Sequence, residues 1–462
     1  MTAANALAPD TTEALRAVVD GIFPELQADL EALVRIPGIA MEAFDQTHVE
    51  ASAEAVAELL RAAGMPEVQI LRAPRPDGKP GAPAVVARRP APAGAPTVML
   101  YAHHDVQPVG EGWDTDPFEP TVVGERLYGR GAADDKAGVV AHLGALRALT
   151  AANLLPDIGV TVFVEGEEED GSPSFRTFLE TYRELLAADV IVVADSANWK
   201  VGVPALTTSL RGLVDGVVEV DVLAHAVHSG MFGGPVLDAN TLLARLITTL
   251  HDDAGDVAVA GLVHGPEPKV EYDEAEFRSE SSVLDGVELA GSGPLAARLW
   301  TKPALAVVGI EATPTSQASN TIAPSARAKL SLRLAPGQDP VAAAAALEQH
   351  LLSHAPFGAR VTWTTGSSGK AFLAPDDTAA MRAARSAFAA AWGVDPVDTG
   401  IGGSIPFIAD LLEVYPHAAI LVTGVEDPDS RAHGANESVH LGELRKVVLA
   451  EALLLTQVAA TL

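Results

Sequence analysis

Short apolar runs followed by polar residues constrain the fold of this chain more than any other feature of its sequence. Each run is long enough for one buried strand and too short for an ordinary helix. Four such runs stand out, at Val98–Tyr101, Val160–Val164, Val190–Ala194 and Ala419–Val422. Runs of this kind are typical of strands that are covered on both faces in a parallel or mixed sheet.

Segments with helical periodicity fill the intervals between these runs. The apolar pattern predicts helices over Thr12–Ile36, His48–Ala63, Ala137–Ala152, Ser174–Ala187, Thr378–Trp392 and Leu441–Ala460. Two shorter β-type runs lie between Pro/Gly-rich turns, at Val68–Leu71 and Ala84–Ala87. Strand and helix therefore alternate, which predicts a helix-flanked mixed α/β sheet. Ligands of such sheets bind beyond the carboxyl ends of the strands.

The middle of the chain has a different order of elements. Between about Leu213 and Thr365 the pattern predicts strand, helix, strand, strand, helix and strand, over Leu213–Leu223, Asn240–His251, Ala304–Ile310, Ala326–Leu334, Val341–His354 and Ala359–Thr364. This order is that of a ferredoxin-like α+β unit. A chain of 462 residues is also too long for one ordinary core. We therefore predict a ferredoxin-like domain, residues 213–368, inserted between the two parts of the α/β domain, residues 1–212 and 369–462.

Charge and cysteine content exclude several classes of function. The chain has 61 acidic and 31 basic residues, a net charge of −30. A polyanion of this size repels nucleic acid and anionic membranes, although solubility alone also explains the charge. The absence of cysteine excludes disulfides, thiolate metal sites and cysteine nucleophiles. With neither a signal-peptide pattern nor a membrane-spanning apolar stretch, the sequence favours a cytoplasmic location.

Histidine and carboxylate residues follow the apolar runs. On extended backbone His103 and Asp105 project to the same side, so Asp105 can orient an imidazole that binds a metal. An ordinary loop histidine explains that segment equally well. Asp134 and Asp135 precede a predicted helix, where they either cap the helix or use a carboxylate with two oxygens to hold two metal ions about 3.5–4 Å apart.

Three further places carry candidate ligands. Five carboxylates lie within Glu165–Asp170, which is either a solvated acidic loop or a cluster that cations neutralise. A metal-bound carboxylate next to a free one would supply a ligand and a general base. Asp195 follows the third apolar run, and His433 follows the fourth through a loop. Each of these residues taken singly has an ordinary structural explanation, so the interpretation depends on the whole set.

The motifs and their order together resemble a known family. The residues that carry the resemblance are His103-His104-Asp105-Val106-Gln107-Pro108, Tyr128-Gly129-Arg130-Gly131, Asp134-Asp135-Lys136, Glu168-Glu169, Gly402-Gly403-Ser404-Ile405-Pro406, Ala432-His433 and Asn436-Glu437. They resemble the metallopeptidases that include cytosolic and carnosine dipeptidases, aminoacylase, carboxypeptidase G and succinyl-diaminopimelate desuccinylase. The resemblance covers nearly the whole chain and is nearest to the dipeptidase branch.

The resemblance implies a dinuclear metal centre. Asp134 would bridge two divalent metal ions. His103 and Asp195 would complete one site, and Glu169 and His433 the other. Each metal then has one imidazole and two carboxylate ligands, a set that suits Zn²⁺ or Mn²⁺. The resemblance also implies a cis peptide bond directly after Asp134.

The resemblance further implies roles in catalysis. Asp105 would orient His103, and Glu168 would be the general base for an attacking water. The inserted domain would act as a lid and would form a homodimer. Through that dimer His228 would stabilise the oxyanion in the partner's site.

Substrate binding is predicted from the inserted domain and the segment after it. In Ala326–Leu334 apolar and polar residues alternate, which places Arg333 on a polar face. The family resemblance implies that Arg333 binds a substrate carboxylate and that four further residues line the same pocket: Asn320, Thr321, Gly403 and Ser404. Many dipeptidase-like relatives have an acidic or basic residue just before the Gly-Gly-Ser run, whereas this chain has Thr399-Gly400-Ile401. The shape or charge that the pocket prefers in a substrate is therefore left open.

These implications define one expected function and two alternatives. We expect dinuclear metal-dependent hydrolysis of dipeptides or short peptides with a free C-terminal carboxylate. An N-acyl-amino-acid deacylase or desuccinylase would use the same metal site. A non-catalytic ligand-binding relative is less consistent with the sequence, because Glu168 and all five expected ligands are present.

Overall fold

The computed structural model describes residues 9–403 and 406–462, so the predicted pocket residue Ser404 lies outside the described residues. The chain divides into two compact units. The first, called here the α/β unit, comprises Met1–Thr208, Ala374–Thr399 and Asp410–Leu462. The second, the inserted unit, comprises Ser209–Leu373 and Gly400–Ala409. The insertion predicted over residues 213–368 falls within the range 209–373.

Twelve α-helices occur in the described residues. They are α1 Pro9–Val34, α2 Thr47–Ala62, α3 Lys136–Ala151, α4 Phe175–Thr181, α5 Ser229–Phe232, α6 Ala239–Thr248, α7 Glu274–Ser281, α8 Leu295–Trp300, α9 Pro340–Ser353, α10 Ala379–Trp392, α11 Pro406–Val414 and α12 Leu441–Thr461. Over residues 9–403 and 406–462, none of the helices combines the length and the apolar character that crossing a membrane requires.

Eighteen strands accompany the helices in the same described ranges. They are β1 Glu67–Leu71, β2 Ala84–Arg89, β3 Thr97–His103, β4 Thr121–Val123, β5 Arg126–Tyr128, β6 Gly159–Glu165, β7 Val190–Val193, β8 Ala205–Leu210, β9 Gly212–Asp221, β10 Val227–His228, β11 Ala304–Glu311, β12 Thr321–Ile322, β13 Ser325–Leu334, β14 Arg360–Gly369, β15 Phe372–Leu373, β16 Val397–Ile401, β17 Ala419–Val422 and β18 Ser438–His440.

The four apolar runs form neighbouring parallel strands, in the order β6-β3-β7-β17. Nearly every residue of these strands is buried, so apolar and polar residues do not alternate along them. This pattern is typical of a sheet that has helices on both faces. His103 and Glu165 are in register at the ends of β3 and β6. The carboxyl ends of the strands therefore meet at one edge, as the predicted helix-flanked mixed sheet requires.

A buried ion pair ties two helices to this sheet. His142 of α3 has its Nδ1 2.8 Å from a carboxylate oxygen of Glu451 in α12, and its Nε2 3.0 Å from the carbonyl oxygen of Tyr101 in β3. Both neighbours are acceptors, so the doubly protonated imidazole satisfies both contacts. Burial opposes the charge, but Glu451 outweighs it and raises the pKa of His142. The pair holds α3 in place, and α3 begins directly after the Asp134–Asp135 segment.

The inserted unit has the predicted ferredoxin-like topology. Its antiparallel sheet has the order β11-β13-β9-β14, and α6 and α9 pack on it. The predicted alternation of β13 is confirmed, since Ala326, Ala328, Leu330, Leu332 and Leu334 are buried. They form one apolar core with residues of the helices and of β9 that include Leu242, Leu246, Leu347, Val214 and Val218. The opposite face of β13 is polar and carries Arg333.

One local prediction was wrong, and one small sheet was not predicted. The helix predicted over Ser174–Ala187 ends at Thr181, because Tyr182 turns out of the helix and donates a hydrogen bond to the carbonyl oxygen of Arg72. After this turn Leu186 is fully buried. The three-stranded sheet β18-β5-β4 was not predicted, since strands of three residues are too short to show a period.

Candidate metal centre

The five predicted metal ligands lie in two groups at the carboxyl edge of the α/β sheet. One group is His103, Asp134 and Asp195, and the other is Asp134, Glu169 and His433. In each group one possible ligand atom of every residue lies within 4.8 Å of the others. Asp134 belongs to both groups. The strand ends thus bring together residues that are far apart in the sequence.

Asp134 presents a different oxygen to each imidazole. Its Oδ1 lies 3.0 Å from Nε2 of His103, and its Oδ2 lies 3.0 Å from Nε2 of His433. The same nitrogen of His433 is 3.2 Å from Oε2 of Glu169. One carboxylate that faces two separate donor groups is the arrangement that a bridge between two cations requires.

The carboxylates of this cluster need positive charge. Burial raises the pKa of Asp195 to about 7, and the nearby charges of Asp134 and Glu169 contribute to the rise. Burial also opposes ionisation of Asp134, but hydrogen bonds from His103 and His433 outweigh it and lower its pKa. Asp134 is therefore stable as an anion only with cationic groups beside it.

The pKa values of the two imidazoles are raised by the carboxylates around them. Hydrogen bonds to Asp134 and Glu169 raise the pKa of His433 to about 11. Burial opposes protonation of His103, yet Asp105 and Asp134 raise its pKa well above the usual value. The site thus attracts positive charge from either protons or metal ions. One imidazole and two carboxylates per group form a borderline-hard donor set, so these residues fit two divalent cations.

Asp105 contacts both the imidazole of His103 and the turn that carries Glu168 and Glu169. The Nδ1 of His103 lies 3.1 Å from the backbone oxygen of Asp105 and 3.4 Å from its carboxylate. The two carboxylate oxygens of Asp105 accept hydrogen bonds from the backbone N–H groups of Glu168 and Glu169, each at 3.1 Å. Asp105 therefore orients His103 and also holds the turn of Glu168–Asp170. The second contact was not predicted from the sequence.

Glu168 lies beside the two ligand groups without belonging to either. It begins a short 3₁₀ turn that is separated from the end of β6 by two residues. Burial raises the pKa of Glu168 to about 9, and the charge of Asp195 adds to the effect. Glu169 belongs to a ligand group, and Glu168 next to it does not. This arrangement agrees with the interpretation of the acidic run as a cluster that cations neutralise, rather than as a solvated loop.

Asp135 does not cap α3. Its side chain makes no capping hydrogen bond and instead accepts one from the backbone N–H of His103, at 3.1 Å. The peptide bond between Asp134 and Asp135 is cis, which confirms that expectation. The structure thus favours the ligand interpretation of this segment over helix capping.

Three residues of the centre were missed in the sequence. Glu167 accepts hydrogen bonds from Arg75 and from the backbone of Ala82 and Ser174, so it fixes the base of the acidic turn. Gln107 donates to Oε2 of Glu169, at 2.7 Å. Burial raises the pKa of the third residue, Glu426, with further contributions from two carboxylates of the cluster. Glu426 follows a strand end, as Asp195 does. The rule that polar residues after the apolar runs are candidate site residues would therefore have found it.

The remaining predicted site residues belong to the inserted unit. His228 of β10 is exposed and pairs in register with Thr321 of β12. The carbonyl oxygen of Asn320 accepts a hydrogen bond from the backbone of Ser229, so Asn320, Thr321 and His228 lie together. Arg333 is half-buried near the end of β13. Gly403 is the last residue described before the gap at residues 404–405, and it is half-buried.

Comparison with known proteins identifies the family. The model of peptidase family M20/M25/M40 matches residues 99–457, which is most of the chain and includes all five candidate ligands. The chain belongs to this family. It is 36% identical over 365 residues to the cysteinylglycine-S-conjugate dipeptidase of Corynebacterium striatum, covering 78% of this chain and 80% of that protein. It is 29% identical over 389 residues to the human β-Ala-His dipeptidase, covering 79% and 76% of the two chains.

Solved structures of the family have the same fold. The dipeptidase Dug1p of Saccharomyces cerevisiae superposes with a TM-score of 0.77 at 21% identity, covering 98% of this chain and 99% of the other. Human carnosine dipeptidase 1 superposes with a TM-score of 0.76 at 24% identity, covering 97% and 99%. These similarities confirm the predicted fold class. Within its family the chain lies in the dipeptidase branch and is an enzyme, a dipeptidase-like metallo-exopeptidase.

Proposed function

We propose that this enzyme hydrolyses the amide bond of dipeptides or short peptides that have a free C-terminal carboxylate. The observation that carries the proposal is the pair of ligand groups that share Asp134, with Glu168 beside them. The names of the relatives, which are dipeptidases for Cys-Gly conjugates and for β-Ala-His, favour peptides over N-acyl amino acids. The cytoplasmic location stays a prediction from the sequence.

Two divalent ions, Zn²⁺ or Mn²⁺, are proposed as cofactors. His103, Asp134 and Asp195 would hold one, and Asp134, Glu169 and His433 the other. When bound, such ions polarise a carbonyl group and lower the pKa of water, the chemistry that amide hydrolysis needs.

Glu168 is proposed as the group that moves the proton. Its carboxylate lies beside the two ligand groups without belonging to either, which leaves it available to accept a proton from an attacking water. The same carboxylic acid can then donate the proton to the leaving amine. Asp105 positions Glu168 for this role through the backbone of the acidic turn, because its oxygens accept from Glu168 and Glu169.

Arg333 is proposed to bind the C-terminal carboxylate of the substrate. A guanidinium group offers two parallel donors that match a carboxylate. Arg333 stands on the polar face of β13, whereas the apolar face of that strand is in the core. Four neighbouring positions of the family pattern are proposed to line the same pocket: Asn320, Thr321, Gly403 and Ser404.

His228 is proposed to act in the site of a partner subunit of a homodimer. Its Nδ1 accepts a hydrogen bond from the backbone N–H of Gly230, at 3.1 Å. A neutral imidazole whose Nδ1 accepts must carry its proton on Nε2. The exposed side of His228 therefore presents an N–H donor, the kind of group that stabilises an oxyanion.

Substrate class distinguishes this proposal from deacylation. We expect the protein reconstituted with Mn²⁺ or Zn²⁺ to have a higher kcat/KM for unblocked dipeptides than for N-acetyl or N-succinyl amino acids, because peptides match the relatives. Steady-state kinetics on matched pairs with the same C-terminal residue measure the difference. A preference for the N-acyl substrates would establish the deacylase alternative, and no turnover of either class would refute both.

Replacing the proposed base tests the mechanism. We expect Glu168→Gln to keep the fold and two bound metal ions while lowering kcat at least about 10²-fold, since that is the usual contribution of a general base. Metal content and kcat are measured on the same preparations. Asp170→Asn is the matched control on the same turn. Asp170 pairs with Arg75, and its replacement should leave kcat nearly unchanged. Near-normal turnover by Glu168→Gln would assign the proton transfer to another group.

Arg333→Ala tests carboxylate binding. We expect KM to rise about 10–100-fold, the equivalent of roughly 1.5–3 kcal/mol for hydrogen bonds to a charged group. The penalty should shrink when the substrate is a C-terminal amide. Arg327→Ala on the same strand, where Arg327 pairs with Glu219 at the surface, is the control. An equal loss on acid and amide substrates would contradict a carboxylate contact.

Subunit mixing tests the proposed role of His228. His228→Ala and Glu168→Gln should each be inactive as homodimers. In a mixed dimer one site regains both groups, so mixing should restore activity. Native mass spectrometry establishes that subunits have exchanged. Exchange without returning activity would show that His228 does not act across a dimer.

A further inference from the structure

A buried ion pair joins two chain segments of the candidate metal centre, the one that carries Asp134 and the one that carries His433. The Nη1 of Arg130 donates to Oε2 of Glu437 at 2.6 Å, across 307 residues of sequence. The two side chains are 1% and 0% exposed. Burying two charges is unfavourable unless further hydrogen bonds satisfy them. The partners of this pair therefore indicate what it holds.

Glu437 holds the backbone that leads to Asp134. Its Oε1 accepts from the N–H groups of Ala133 and Asp134, at 3.0 and 3.1 Å. Its Oε2 accepts from the N–H of Gly131, at 3.0 Å, as well as from Arg130. Four donors surround its two oxygens, so this carboxylate ties the backbone of residues 131–134 to the chain segment that follows His433. These four donors are three backbone N–H groups and the guanidinium of Arg130 rather than a ligand side chain.

Arg130 holds the backbone of the other ligand segments. Its Nη2 lies 3.2 Å from the carbonyl oxygens of Pro108, His433 and Gly434. His433 has a φ of 61°, a left-handed conformation that is unfavourable for a residue with a side chain. The turn that carries His433 therefore depends on outside support, and Arg130 supplies it.

The two ligand groups differ in how they are supported. His103 ends β3, its side chain is 1% exposed, and Asp195 comes soon after β7, so the sheet fixes the first group. His433 lies on a loop, and its side chain is 59% exposed. Its position depends on hydrogen bonds to its backbone rather than on packing.

We infer that Arg130 and Glu437 are positioning residues that set the metal affinity of the group formed by Asp134, Glu169 and His433. The group formed by His103, Asp134 and Asp195 depends less on them, because both of its unshared ligands follow strands of the central sheet, whereas His433 lies on an exposed loop whose backbone Arg130 holds. The inference rests on the proposed dinuclear centre and adds that the two sites are supported unequally. Outer hydrogen bonds to metal ligands typically change metal affinity 10–100-fold.

Titration with Mn²⁺ tests this inference without using activity. The metal-free wild-type protein should bind two Mn²⁺, with an electron paramagnetic resonance signal of two coupled ions. In Glu437→Gln the second Mn²⁺ should bind at least about tenfold more weakly while the first changes little, leaving a mononuclear signal at low metal. Arg130→Lys should behave in the same way, because lysine cannot reach Glu437 and the three carbonyl oxygens together.

Glu443→Gln is the matched control. Glu443 is also fully buried and accepts hydrogen bonds from the backbone of Gly202 and from Trp392, neither of which is a predicted ligand. This variant should keep both affinities. If Glu437→Gln weakens both sites equally or neither, or if the control has the same effect, the inference fails while the dinuclear centre stands.

Folding of each variant is checked by circular dichroism. If Glu437→Gln is unfolded, Arg130→Lys decides the outcome. If neither variant folds, the pair supports the fold rather than a metal site, and the inference is overturned. A wild-type protein that binds fewer than two Mn²⁺ would instead refute the proposed dinuclear function.

Discussion

The sharing of Asp134 between two imidazoles is the constraint on which the rest of the centre depends. One carboxylate faces both His103 and His433 only if three distant segments of chain meet within hydrogen-bonding distance. Several further carboxylates lie close by, and their repulsion makes the arrangement unfavourable without positive charge. The centre is thus stable only as a balance between confined anions and the cations that they attract.

Carboxylates outside the two ligand groups supply much of the confinement. Asp105 and Glu437 accept hydrogen bonds from backbone N–H groups of segments that carry site residues, and Glu167 ties the acidic turn to the backbone of Ala82 and Ser174. A carboxylate can accept several such bonds at once, whereas a neutral amide side chain offers fewer acceptor positions. The high acidic content around the site therefore has two separate uses, the binding of cations and the positioning of backbone.

The central strands and the inserted topology could be predicted from the sequence, because each depends on a pattern that repeats along the chain. Runs such as Val160–Val164 leave only a buried strand as a consistent structure, and the strand ends indicate where polar site residues lie. The assignment of particular residues as ligands came from the family resemblance, because each of them taken singly has an ordinary structural explanation. The backbone contacts of Glu167 and Glu437 could not be predicted in this way. A hydrogen bond to an N–H group depends on three-dimensional proximity, and every residue except proline offers such a group.

The Arg130–Glu437 pair also has a consequence for biosynthesis. Its members are separated by 307 residues, and His142 and Glu451 by 309. A ribosome adds residues from the amino terminus, so His103 and Asp134 emerge long before the residues that complete their surroundings. Contacts of such large sequence separation also close late in folding, since the entropy of loop closure must be overcome first. The nascent chain therefore carries His103 and Asp134 without their full surroundings until the segment that contains His433 and Glu437 has been synthesised.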